Sequence, residues 1–229
     1  MRLAPSLLLP VFMAIAAGAQ VREGSIRGVV LTDDGHPVGD AHVYAGVMHG
    51  SRILTVLNAN TNDFGVFAFP RLAFGKCRVS AEKPESGYLS TAPDIFSSRP
   101  ALTVVLTPDK TTVTKVIRFG PKAATITGWV RDSLTGDPIA AHLSLAPANG
   151  DGWSTTGTDG QDPFHLMIPA NTPVNFGACA EGYEVWRYGN SSSPPRTIPL
   201  RLRPGATLKV DIKLERSENA KAPCFSSTY

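Results

Sequence analysis

The sequence predicts an all-β protein built as two tandem β-sandwich domains. Three observations support this prediction: apolar and polar residues alternate in several segments, turn residues recur along the whole chain, and one set of landmarks occurs twice. The 21 glycines and 19 prolines are spread throughout, as expected for many short strands joined by tight connections. After the first twenty residues, no segment keeps a helical period for three turns.

The alternation is clearest near the two ends of the chain. Between Ile26 and Val30, residues of even number are apolar or glycine, and the period of two is that of a half-buried strand. Near the other end Val210, Ile212 and Leu214 alternate with charged residues. Each segment is therefore predicted to be a strand with one face in a core.

A repeat of about one hundred residues joins these segments into two similar units. The landmarks of the first unit recur in the second in the same order: Ile26-Arg-Gly28-Val-Val30 with Ile126-Thr-Gly128-Trp-Val130, Ala41-His42-Val43 with Ala141-His142-Leu143, and Gly87-Tyr88 with Gly182-Tyr183. A shared order of this kind indicates duplication of one domain. We place the first domain at 20–120, the second at 121–215 and a C-terminal tail at 216–229.

The first nineteen residues are predicted to be a cleavable signal peptide. Arg2 precedes an apolar run over 7–15, and Ala17-Gly18-Ala19 supplies a small-residue cleavage site. The alternative is a membrane anchor, but the run is shorter than the roughly 20 residues that span a bilayer. With no second apolar run, we expect an exported protein without a membrane span after cleavage, either secreted, periplasmic or associated with the cell envelope.

Several landmarks resemble the carboxypeptidase regulatory-like domain family. They are Gly28, the segment Asp63-Phe-Gly65-Val-Phe67-Ala-Phe69-Pro-Arg-Leu72, and Gly87-Tyr88. The resemblance implies a transthyretin-like (prealbumin-type) Greek-key sandwich, a fold grouped with carbohydrate-binding-like domains. In the second unit the sequence departs from the family at 159–164, where the hairpin is rebuilt. Members of this family are usually accessory modules of exported enzymes, receptors and adhesins.

The sequence contains no recognisable catalytic or cofactor motif. The histidines lack the spacing that places two imidazoles on one metal, and no nucleophile elbow, P-loop or dinucleotide motif is present. We therefore predict a non-enzyme without a cofactor. A net charge of +3 with no charged block argues against nucleic acid as a partner. Asp63 and Asp159 could be calcium ligands, although such aspartates more often stabilise the following turn.

Aromatic residues of the second unit are the candidate ligand contacts. They are Trp129, Trp153, Trp186 and Tyr188. Exposed aromatic rings bind sugar faces or protein partners well, because they offer a large rigid surface with a polar edge. The alternative is that some of these rings cap the core or cover the contact between the units.

The three cysteines fit an oxidising compartment and leave one thiol unpaired. By parity Cys77 should face the core, whereas Cys179 is out of phase with its apolar neighbours and should face outward. The tail carrying Cys224 could reach it there, so a Cys179–Cys224 disulfide is predicted.

The sequence thus predicts a monomeric, non-catalytic binding or structural module. The resemblance favours carbohydrate as the ligand. The alternatives are a protein-binding, spacer or adhesin module of the envelope, and an accessory protein of an exported hydrolase system.

Overall fold

A computed structural model describes residues 23–97, 99–192 and 195–217. The predicted signal peptide, over 1–19, lies outside the described residues, as does most of the tail. Within the described part of the chain, a single turn of 3-10 helix at Pro84–Ser86 is the only helical element. The all-β prediction is confirmed.

The first module is a sandwich of seven strands. A three-stranded sheet has the order β4-β1-β7 and a four-stranded sheet the order β3-β2-β5-β6. Its first and last strands are parallel neighbours, whereas its other strand pairs are antiparallel. The strands are β1 (Glu23–Leu31), β2 (His42–His49), β3 (Arg52–Asn60), β4 (Val66–Ala73), β5 (Gly75–Glu82), β6 (Leu102–Leu106) and β7 (Thr112–Arg118).

The second module repeats this topology. Its sheets have the orders β11-β8-β16 and β10-β9-β12-β13, and a separate hairpin joins β14 to β15. Its first and last strands, β8 and β16, are again parallel. The strands are β8 (Ala124–Asp132), β9 (Ala141–Pro147), β10 (Ser154–Thr158), β11 (Phe164–Ile168), β12 (Val174–Cys179), β13 (Trp186–Arg187), β14 (Asn190–Ser192), β15 (Pro195–Thr197) and β16 (Thr207–Leu214).

Each module has its own hydrophobic core between its two sheets. The alternation read from the sequence is confirmed, because Ile26 and Val30 are buried in the first core while Ile212 and Leu214 are buried in the second. The first core ends with Phe119 and the second begins with Ala124. Tandem β-sandwich domains are therefore the architecture of the described chain, and the boundary at 120/121 remains a prediction.

The glycine shared by the two repeats marks a close approach of the last strand to the first. Gly28 is the register partner of Lys115, and Gly128 is the partner of Val210. A Cβ atom at position 28 would lie 2.1 Å from the Lys115 carbonyl oxygen, and one at 128 would lie 1.8 Å from the Val210 carbonyl oxygen. Any side chain would push the parallel strands apart, which explains why the landmark is a glycine in both units.

The edge strands next to β2 and β9 differ between the modules. The strand β3 has nine residues, whereas β10 has five and ends where the sequence departs from the family pattern. The shorter β10 is entirely polar or glycine, while β3 carries exposed apolar side chains. The duplication therefore kept the topology and changed one edge of the four-stranded sheet.

Candidate functional site

A cleft of about 480 Å³ lies on the outer face of the four-stranded sheet of the second module. Its floor is formed by small residues of β9 and β12, among them Ser144, Ala146 and Gly177. Trp153, from the loop before β10, and Arg187, from β13, complete the lining with their neighbours. We call this the Trp153 cleft.

At one position of the floor of the Trp153 cleft, the second module has a small side chain where the first has a large one. Ser144 pairs with Gly177 across the sheet, and the corresponding pair in the first module is Tyr44 with Ser80. The Tyr44 hydroxyl donates a hydrogen bond of 2.9 Å to Glu82, so its ring lies over the outer face there. In the second module Ser144 stands at this position, and both Ser144 and Gly177 are buried at the floor of the cleft.

The lining of the Trp153 cleft combines apolar surface with hydrogen-bonding groups. The Trp153 side chain is 40% exposed and Val185 is exposed beside it. Asp151, Asn175 and Arg187 supply a carboxylate, an amide and a guanidinium to the same cleft. Apolar area with a few polar groups is the usual composition of a small-molecule site, and the volume falls within the usual range of roughly 300–1,000 Å³.

The other three candidate aromatics lie elsewhere. Trp186 and Tyr188 share a face, as predicted, but that face packs on the second core, where the Trp186 ring meets Phe176 edge-on at 5.6 Å. This matches the alternative that some rings cap the core. Trp129 is half-buried, outside the core cluster, with the Arg131 guanidinium 5.1 Å from its ring centroid. Of the four, Trp153 therefore combines exposure with a cleft.

A larger and more open cleft, of about 780 Å³, separates the edges of β10 and β11. Its lining includes His142, His165, Asp159 and Asp162. In the described ranges no group of three or more His, Cys, Asp or Glu side chains is arranged to hold a metal ion. His142 is exposed to solvent.

The two aspartates considered as calcium ligands sit in turns. Asp159 Oδ1 accepts a 2.9 Å hydrogen bond from the Gln161 amide, so this carboxylate stabilises its own turn. In the first module the neighbouring Asn62 takes that role, because its Oδ1 accepts bonds from the amides of Phe64 and Val66 at 3.1 and 2.9 Å. These contacts account for the turn-stabilising role considered for this element.

A buried carboxylate that the sequence analysis missed closes the end of the second module. The Asp132 side chain is 1% exposed. It accepts hydrogen bonds from Tyr183 Oη at 2.8 Å, from Arg216 Nε at 2.6 Å, and from the amides of Leu134 and Thr135 at 2.8 and 3.1 Å. The Arg216 guanidinium also lies 5.8 Å from the Tyr183 ring centroid. We call these three side chains the Asp132 cluster.

The hydrogen bond from Arg216, followed by that from Tyr183, holds the pKa of Asp132 well below its usual range. The same contacts raise the pKa of Tyr183 and of Arg216, since each loses its bond to a charged partner on deprotonation. The cluster ties the chain after β16 to the turn after β8. One signal was available in the sequence, because Asp132 stands where the first repeat has Thr32.

The two described cysteines, Cys77 and Cys179, are both buried. Cys77 is a free, buried thiol, as predicted, and burial raises its pKa. Cys179 is the register partner of the exposed His142 and is not part of the second core, so it faces outward as predicted, although it is only 1% exposed. Residues 177 to 180 are all buried, so this end of β12 is covered on both faces. Cys179 is disulfide-bonded, while Cys224 lies outside the described residues and the Cys179–Cys224 pairing stays a prediction.

A thiol count tests the predicted pairing. If Cys179 is joined to Cys224, the oxidised mature protein unfolded in denaturant should show one reactive thiol, that of Cys77. Peptide mapping without reduction should recover Cys179 and Cys224 in one linked pair. Recovery of three free thiols, or of a peptide linked through Cys77, would show that the pairing is wrong.

Within the described residues, no helix has the length and apolar character needed to cross a bilayer. No protein-family profile matches the sequence, and no curated protein matches it.

Solved structures that match this chain include two pilins and one further bacterial protein. The minor pilin GBS52 of Streptococcus agalactiae is 14% identical over 88% of this chain and 100% of its own, with a TM-score of 0.34. The shaft pilin SpaA of Lactobacillus rhamnosus GG is 11% identical over 85% of this chain and 98% of its own, with a TM-score of 0.33. The Bacillus anthracis TIE protein is 14% identical over 85% of this chain, with a TM-score of 0.35, and this chain spans 34% of its length.

Proposed function

We propose that the protein is an exported, non-catalytic binding module that holds a carbohydrate in the Trp153 cleft. The observation that carries the proposal is a half-exposed tryptophan in a cleft whose lining includes a carboxylate, an amide and a guanidinium. Export rests on the signal-like N-terminal segment, and a secreted, periplasmic or envelope location follows from it. The resemblance to the carboxypeptidase regulatory-like family supports the same class of function.

The chemistry of the Trp153 cleft fits a sugar ring. One face of a pyranose is a flat row of C–H groups, which can stack on the indole of Trp153. Its hydroxyls both donate and accept, so they can bond to the carboxylate of Asp151, the amide of Asn175 and the guanidinium of Arg187. Ser144 and Gly177 line the floor of the cleft beneath the proposed position of the ring.

Tryptophan fluorescence provides the test. A panel of soluble polysaccharides is titrated into the mature protein, and at least one should shift the emission. Trp153→Ala should raise the dissociation constant for that glycan by about tenfold or more, since loss of one stacking contact of roughly 1.4 kcal/mol corresponds to tenfold. Binding to the variant is followed by calorimetry, which does not depend on the removed fluorophore.

Trp129→Phe is the matched control. It removes a tryptophan outside the cleft and keeps an aromatic ring under Arg131, so affinity should be unchanged. Asn175→Ala should weaken binding while leaving Trp153 in place. If Trp153→Ala and Trp129→Phe have equal effects, or if no glycan of the panel binds, the carbohydrate proposal is wrong.

The second candidate function is a protein-binding, spacer or adhesin module, which includes an accessory role in an exported hydrolase system. Exposed apolar side chains on the edge strand β3 of the first module favour it. A panel without glycan binding, together with retention of an envelope protein by immobilised wild-type protein but not by a β3 variant, would support this second candidate.

A further inference from the structure

The edge strand β3 of the first module exposes an unusual amount of apolar surface. Ile53, Leu54 and Val56 are 45%, 67% and 54% exposed. Ile53 lies on the outer face of the sheet, because a Cβ atom at Gly46 would be 3.1 Å from its Cγ2 atom. Long apolar edge strands are templates for pairing with another strand, and proteins usually protect them with charge, proline or short length.

The fold itself does not require this apolar edge. The corresponding strand of the second module, β10, has the sequence Ser-Thr-Thr-Gly-Thr and forms five register pairs with β9. It closes the same sheet at the same place with no large apolar side chain. Leu57 and Ala59 of β3 pack against the first core, but the exposed residues Ile53, Leu54 and Val56 are not needed to close the sheet.

The strand β3 has few of the features that usually prevent an edge strand from pairing with another strand. Arg52 is its only charged residue, and it contains no proline. A register shift between Val47 and Met48 of β2 places a bulge at Leu54, which limits the regular part of the strand to Thr55–Asn60. Six regular residues are enough for a strand-to-strand contact, since strands of this length are the commonest in sheets.

We propose that β3 pairs antiparallel with β3 of a second copy of this chain, which joins two first modules into a symmetric dimer with one continuous eight-stranded sheet. The charges around the strand select this partner and this direction. Its start carries Arg52, while Asp63 follows its end and Asp40 accepts a 3.0 Å hydrogen bond from the last residue, Asn60. Antiparallel pairing places the basic end of each strand beside the acidic end of the other, whereas parallel pairing would bring like charges together.

A two-fold axis fits this geometry, because identical strands that pair antiparallel across such an axis make every contact twice. Pairing of the regular segments places the axis near Leu57 and Asn58, so Val56 of each copy lies inside the paired segment, whereas Leu54 lies in the bulge outside it. The proposal departs from the monomer expected from the sequence. It is independent of the Trp153 cleft, which lies in the second module.

The test is the oligomeric state of the mature protein, measured by sedimentation velocity over a range of concentrations. We expect a reversible dimer. Val56→Lys should raise its dissociation constant by about tenfold or more, because the new ammonium would have to be desolvated in the interface. Val116→Lys is the matched control: Val116 is 51% exposed on β7 of the other sheet, and its replacement should leave the dimer intact.

A charge exchange separates the proposed contact from a general loss of stability. Arg52→Asp should weaken the dimer, and adding Asp63→Arg to it should restore association, since the two ends are again complementary. Amide exchange of residues 55–60 should be slower at concentrations where the dimer forms. A protein that stays monomeric, a dimer that survives both Val56→Lys and Arg52→Asp, or equal effects of Val56→Lys and Val116→Lys would overturn the proposal.

Discussion

Gly128→Ala is expected to destabilise the second module by at least about 3 kcal/mol, the upper part of the range for overpacking in a tight site. The new methyl group would lie 1.8 Å from the carbonyl oxygen of Val210, which is backbone and cannot rotate away. The parallel pair of β8 with β16 closes the three-stranded sheet over the core. Separating these strands therefore breaks ladder hydrogen bonds and opens the core together.

The measurement is thermal or denaturant unfolding of the mature protein, with calorimetry to resolve the two modules. Gly28→Ala should have the corresponding effect on the first module, because its Cβ would lie 2.1 Å from the Lys115 oxygen and 2.6 Å from the Phe67 ring. Gly157→Ala is the control in β10, where no atom lies within 4 Å of the added carbon. It should be neutral or stabilise by about 0.5 kcal/mol. Equal stability of Gly128→Ala and Gly157→Ala would contradict the close-approach argument.

Asp132→Asn is expected to give the second large loss of stability. The amide keeps the size of the side chain but loses the charge that Arg216 and Tyr183 contact. The NH₂ group of the new asparagine would also face hydrogen-bond donors, such as those of Tyr183 and Arg216, to which it cannot bond. We expect the melting temperature of the second module to fall by on the order of 5 °C or more, because a buried hydrogen-bonded group loses matched partners. Asp137→Asn, an exposed position in the same turn, should change it little.

The pH dependence of this loss has a defined sign. A carboxylate whose folded pKa is lowered contributes stability that is fully present above its unfolded pKa of about 4 and is lost as pH falls toward the folded value. The difference in melting temperature between wild type and Asp132→Asn should therefore be largest above about pH 5 and shrink steadily at more acidic pH. Using the difference cancels most of the titration of other carboxylates, such as Asp34, whose pKa is also lowered by its bonds to Thr32 and His36. A difference that is constant with pH would contradict the charge-based role.

Much of the fold could be predicted because it depends on local pattern. The alternation around Ile26 and Ile212 identified which faces enter the cores, since the side-chain period of a strand is two. The shared landmarks identified the duplication, and the glycines at 28 and 128 were among them. Their physical reason, the close approach of a parallel strand, appears only when the last strand is seen beside the first.

Parity gives the face of a side chain but not whether that face is covered. Cys179 faces outward beside His142, as its phase predicted, yet it is buried because the end of β12 is covered on both faces. Trp186 and Trp153 were equal candidates in the sequence, but Trp186 packs on the second core while Trp153 lines a cleft. The two tryptophans differ because different strands and loops lie beside them. The side-chain period of a strand does not predict which strands and loops these are.

The sequence by itself determined the class of the fold, its duplication and the side of each strand that meets the core, because these follow from periodicity and turn chemistry within short segments. Only the tertiary structure decided where polar and aromatic groups meet. Asp132, Tyr183 and Arg216 come from three separate segments, and the Trp153 cleft depends on small side chains in two strands and a ring from a loop. Such meetings are long-range contacts, which the pairing of strands across the sheets creates and no local pattern encodes.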